Sequence, residues 1–158
     1  TTTIELLKQK GYKTTIEHAR HYIDTQRVTG KTTEEIRANQ LVFQRGVLDM
    51  QVEQEKELPR NETVFLDRAL PDALAYYRFL NLRVDGKIQD AIREASYKKV
   101  FIMDPLPLTR DYARTEDEKA QKRIHELLAE VYESLSFPVI HVPVLSPEER
   151  VDFILKNL

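Results

Sequence analysis

Three short apolar runs limit the folds open to this chain more than any other feature: TVFLD (63–67), KVFIMD (99–104) and FPVIHVPVL (137–145). Each is shorter than an ordinary buried helix. Each is apolar at neighbouring rather than alternate positions, the pattern of a strand covered on both faces. Helical spacing fills the intervals, in LPDALAYYRFL (70–80), KIQDAIREAS (87–96) and KAQKRIHELLAEVYESL (119–135). Ser146-Pro147-Glu148-Glu149 then starts a closing helix through RVDFIL, with a capping hydroxyl, a proline and first-turn acids in their preferred places. Near the front, Ile4, Leu6 and Leu7 predict a helix stopped by Gly11, and the β-branched YKTTIE (12–17) predicts a strand ending near Glu17. HARHYIDTQRV (18–28) returns to helical spacing, and a long helix runs from Thr33 to about Leu58. Strands alternating with helices predict a mainly parallel sheet covered on both sides, a three-layer α/β/α architecture in one domain over 1–158. Open sheets of this kind bind ligands at the carboxyl ends of their strands. Glu17, Asp67, Asp104 and Pro143 gain interest from that position alone.

Composition narrows the partners. The chain carries 24 basic and 26 acidic side chains for a formal charge of -2, which gives no general attraction to nucleic acid or an anionic membrane. It has no cysteine, so disulfides and thiolate metal sites are excluded and a cytoplasmic setting is expected. No apolar run approaches the roughly 20 residues of a membrane-spanning helix. The opening TTTIELLKQKGY enters a helical pattern at once, as the middle of a longer protein would.

One stretch invites a phosphate-loop reading and fails it. VTGKTTEEI (28–36) contains Gly-Lys-Thr-Thr, but the pattern G-x-x-x-x-G-K-[ST] needs a glycine at position 25, which is Thr25. The preceding residues are also helical in spacing where a strand is required. This is a polar turn capping a helix.

TVFLDRALPDALAYY (63–77) carries more: an apolar strand ending in Asp-Arg and a helix containing a second Asp. It resembles the P-loop nucleoside and nucleotide kinases; thymidylate kinases show a comparable Asp-Arg after their third strand. The order of motifs along the chain is closer still to the AAA-domain family of ATPases related to ribosylnicotinamide kinases. The matching residues are Gly11-Tyr12, Glu17, Ala19-Arg20, Phe43-Gln44, Phe65 to Tyr76, Asp104 to Pro107, Arg114 to Asp117 and Val142 to Arg150. The resemblance implies a P-loop kinase-like fold that binds ATP or GTP with Mg²⁺. In that family a first strand and complete phosphate loop precede the helix that begins here. On that alignment Thr1 and Thr2 close the loop and Thr1 supplies the Mg²⁺-binding hydroxyl.

Roles for the remaining residues combine position with that resemblance. Asp67 orients Mg²⁺ through water, or caps the next helix. Arg68 holds a phosphate or acceptor, or pairs with Asp72 or Glu17. Asp72 accepts from an acceptor hydroxyl, or occupies a dipole-favoured first-turn site. Glu17 is a general base or supporting metal carboxylate, against an ion pair with Arg20. Gln44 points an amide at a base, though a solvated side chain is the better expectation. Tyr76, Tyr77 and Phe79 are expected mostly in the core. Arg110 and Arg114, four apart, belong to a lid of about 106–118 that closes over the transferring phosphate, with pairing to Glu116, Asp117 and Glu118 as the plainer account. Val142, Pro143 and Val144 are candidates for backbone and apolar contact with the nucleotide base. The four histidines fit no metal spacing.

The expected function is that of a Mg²⁺-dependent, ATP-binding P-loop NTPase, an ATPase or a kinase acting on a nucleoside-like small molecule. The rival from another class is a nucleotide-dependent switch that binds a protein or lipid partner with little turnover, its contact surface supplied by the long helix 33–58.

Overall fold

The computed structural model describes residues 2–15, 40–84, 86–105 and 115–158. They form a mixed α/β chain with two short parallel strand pairs, and the chain divides into two compact units, Thr1–Ala95 and Ser96–Leu158.

In the first unit, α1 (Thr2–Gln9) buries Thr3 and Leu7. It ends because Gly11 takes φ 96, letting its N–H reach the Lys8 carbonyl (3.0 Å) while Tyr12 N–H reaches that of Leu7 (3.2 Å). This pair of bonds satisfies carbonyls that a helix end leaves open, and glycine adopts the conformation without a Cβ clash. The chain enters β1 (Lys13–Thr14), which pairs in parallel with β2 (Val64–Phe65). Tyr12 packs edge-on against Phe65, with ring centroids 5.3 Å apart.

Between these strands lies α2 (Gln40–Lys56); after them come α3 (Leu70–Phe79) and α4 (Gly86–Glu94). The core joins the three helices through Leu48, Leu70, Tyr77 and Ile88, with Val52, Ala73, Leu74, Ala91 and Ile92 packed around them. An ion pair from Lys87 to Asp49 ties α4 to α2 at the surface. Asn81 ends α3 as Gly11 ends α1, at φ 54, with Leu82 N–H donating to the Tyr77 carbonyl (2.8 Å).

In the second unit, β3 (Val100–Met103) pairs in parallel with β4 (Val139–Val142), Val100 opposite Val139 and Met103 opposite Val142. The helix α5 (Thr115–Glu133) buries Leu127, Val131 and Tyr132, and α6 (Pro147–Lys156) buries Val151 and Ile154. Ser146 caps α6 as its sequence requires: its Oγ accepts from Glu149 N–H at 3.2 Å.

The strands are shorter than the apolar runs that announce them. Pro138 and Pro143 bracket β4, and neither has an N–H to extend the ladder. Beyond β2, Asp67 N–H donates to the Thr15 side chain instead of a backbone carbonyl, and Arg68 turns to φ 70, which ends the extended run. The long helix expected over 33–58 is described from Gln40 onward, while the segment 18–28 lies outside the described residues. Two expected environments are corrected. Gln44 is 9 % exposed rather than solvated, because it stands one turn before Leu48 on the face of α2 that meets the core. Of the three aromatics expected in the core, Tyr77 alone is fully buried; Tyr76 and Phe79 are half-buried.

Candidate functional site

Parallel pairing brings like ends of strands together. In the first unit this places Thr15, just past β1, beside Asp67, two residues past β2, although 52 positions separate them. Asp67 N–H donates to Thr15 Oγ1 at 3.0 Å, and Thr15 is itself buried. The Asp67 carboxylate is half-buried and makes no hydrogen bond or ion pair among the described residues. An ionised carboxylate in that setting has lone pairs to spare for a ligand.

Arg68 follows in the left-handed region, unusual for a residue with a Cβ. The turn projects its guanidinium along α3, where Nη1 donates to the Tyr76 hydroxyl at 2.9 Å and Cζ lies 5.4 Å from the Tyr76 ring centroid. Donation and cation–π attraction together hold an exposed cation in one place. Asp72 faces back into the turn. Its Oδ1 accepts from Ala69 N–H at 3.2 Å while its own N–H donates to the Ala69 carbonyl at 3.0 Å. Asp72 thereby serves the first turn of α3, whose dipole favours a carboxylate there.

The helix start has a second carboxylate that sequence reasoning missed. Glu55, on α2, accepts from Leu70 N–H at 3.0 Å through Oε2, and the same oxygen accepts from Gln51 Nε2 at 2.7 Å. The four-residue spacing of Gln51 and Glu55 was visible in the chain. Their meeting with Leu70 was not.

The other expected site residues divide by position. Thr2 is exposed at the first turn of α1. Thr1, Glu17, Arg110 and Arg114 lie outside the described residues. In the second unit, Asp104 N–H donates to the Val142 carbonyl at 2.8 Å, so Asp104 and Pro143 stand at neighbouring strand ends. Val142 is fully buried, whereas Pro143 is exposed and Val144 is 49 % exposed, leaving these two available for apolar contact. Of the histidines, His141 meets Glu133 on the surface, Nε2 to Oε1 at 2.8 Å.

No group of three or more acidic or histidine side chains among the described residues forms a metal cage. A magnesium ion that arrives with phosphate and water ligands needs few carboxylates, and the donor chemistry of Asp67 fits that requirement. No described helix is long and apolar enough to cross a membrane.

Among known protein families, the model described as an AAA domain matches residues 1–150. No curated protein and no solved structure matches the chain.

Proposed function

The chain belongs to the AAA-domain family, a P-loop, nucleotide-binding group, and from that premise we propose that it is a Mg²⁺-dependent ATP- or GTP-binding protein that transfers a phosphoryl group to a small, nucleoside-like acceptor. The observation that carries this reading is the Asp67 carboxylate, half-buried at a strand end, without a partner among the described residues and followed directly by an oriented Arg68.

The roles follow from chemistry. Bound Mg²⁺ supplies charge neutralisation on the phosphates. Asp67 accepts hydrogen bonds from water around the ion, and Arg68 offers paired N–H donors to a phosphate or acceptor oxygen. Asp72 lies one turn on, as the group that accepts from the acceptor hydroxyl. Thr1, Thr2, Glu17 and the pair Arg110 and Arg114 complete the proposal as phosphate-loop, base and lid groups, and Pro143 and Val144 as contacts for the nucleotide base. Catalysis of this type rests on positioning and charge stabilisation rather than a covalent intermediate.

The test is turnover of Mg-ATP by the full-length protein with and without a panel of nucleosides. Acceptor-stimulated turnover is expected, with Asp67→Asn lowering kcat by about 100-fold, the scale of losing one charge-stabilising group. Equal turnover by Asp67→Asn would remove the reading. The second reading, a nucleotide-dependent switch with little turnover, draws support from Leu41 and Val42, which are 42 % and 54 % exposed at the start of α2. Tight Mg-ATP binding without turnover favours it.

A further inference from the structure

Every polar atom near Asp67 and Arg68 raises the same question: what holds a non-glycine residue at φ 70 on an exposed turn? Left-handed backbone with a Cβ is unfavourable and persists only where surrounding contacts over-determine it. Three backbone N–H groups of the turn are held by side chains from three different places. Asp67 N–H is held by Thr15 Oγ1, Ala69 N–H by Asp72 Oδ1, and Leu70 N–H by Glu55 Oε2. Asp72 is local to the turn. Thr15 and Glu55 reach it from the end of β1 and from α2, 52 and 15 residues away.

We infer that Thr15 and Glu55 are positioning residues: they clamp the 67–70 turn, one from the end of β1 and one from α2, and so set where the Asp67 carboxylate and the Arg68 guanidinium point. The inference rests on the proposed function for its catalytic consequence, and on the turn geometry alone for the clamp. Thr15 is suited to the task because it is buried and its hydroxyl accepts without competition from bulk water. Glu55 is suited because the Gln51 amide holds the same oxygen that binds Leu70 N–H, which restricts the carboxylate to one placement. A charged acceptor at a helix start also meets the positive end of the α3 dipole. Tyr76 completes the arrangement beyond the backbone by holding the guanidinium that the turn projects.

The experiment uses the full-length protein and the variants Thr15→Val, Thr15→Ser, Glu55→Ala and Glu55→Gln. Two quantities are read: amide hydrogen exchange at Asp67 and Leu70, and kcat, KM and Mg-ATP affinity. Thr15→Val should speed exchange at Asp67 at least tenfold, and Glu55→Ala should do the same at Leu70. Both should lower kcat by about 10- to 100-fold, the loss expected when a reacting group is misplaced by around 1 Å. Mg-ATP affinity should change far less. Thr15→Ser should restore both quantities, and Glu55→Gln, which keeps an acceptor oxygen, should restore most of them. A purely structural role would lower the melting temperature and leave kcat unchanged; that result, or unchanged exchange at both amides, overturns the inference. Should the unaltered protein neither bind nor turn over Mg-nucleotide, the functional reading fails, and the clamp is judged on the exchange data and the Thr15→Ser rescue.

Discussion

Tyr77→Phe should make this protein more stable. The Tyr77 side chain has no exposed surface, and its hydroxyl has no hydrogen-bond partner among the described residues. Burial pushes its pKa above the ordinary 10.0; Asp49 adds to that effect, and the cations Arg45 and Lys87 oppose it. A buried, unsatisfied hydroxyl costs about 1–3 kcal/mol, while the phenyl ring it rides on contributes packing against Leu48, Leu70 and Ile88. Phenylalanine keeps the ring and removes the cost, so a gain of about 1 kcal/mol is expected, or 2–4 °C in melting temperature for a chain of this size. Tyr77→Ala removes the ring as well and should cost about 3–5 kcal/mol. Because the chain forms two compact units, exchange of the Leu70–Phe79 amides is the measurement to make, since it reads the first unit even if the second melts separately. The pH dependence gives an independent sign. A group whose pKa is raised on folding contributes stability that is fully present below its unfolded value and is lost as pH rises through the folded one. The unaltered protein should therefore lose stability above about pH 10 more steeply than Tyr77→Phe does. A loss of more than about 0.5 kcal/mol in Tyr77→Phe, against the positive cost argued from an unmade bond, would show that the hydroxyl has a partner and refute the argument.

Two further outcomes test the local structure. Nothing lies within 4 Å of a Cβ built on Gly11, so Gly11→Ala meets no clash with neighbouring atoms; its cost comes from φ 96 alone and should be about 1–2 kcal/mol by thermal denaturation, with Gly11→Asn milder. Ser146→Ala removes the side-chain acceptor that caps α6 and should cost about 1 kcal/mol, read as faster exchange in the first turn of that helix.

Local chemistry is why much of the secondary structure was legible. Gly11 stops α1, Ser146 starts α6 and the run around Val100 forms a strand; each depends on residues within a few positions of one another. Strand–helix alternation pointed in the same way to parallel pairing, which both strand pairs show. Asp67 and Arg68 were visible as a motif, and the structure places Asp67, half-buried, two residues past the end of β2. Strand length was not legible, because Asp67 N–H leaves the ladder for a hydroxyl that another strand supplies.

Taken alone, the amino-acid order determined which of the described segments coil or extend, where α1 stops and α6 starts, and which family the chain resembles. Folding decided the rest: that Thr15 reaches the Asp67 amide, that Glu55 reaches the start of α3, that Arg68 lies against Tyr76 and that Gln44 is buried. The physical reason is range. Capping and hydrophobic period act through neighbours along the chain, whereas a hydrogen bond between distant elements exists only once packing has fixed which of their faces meet.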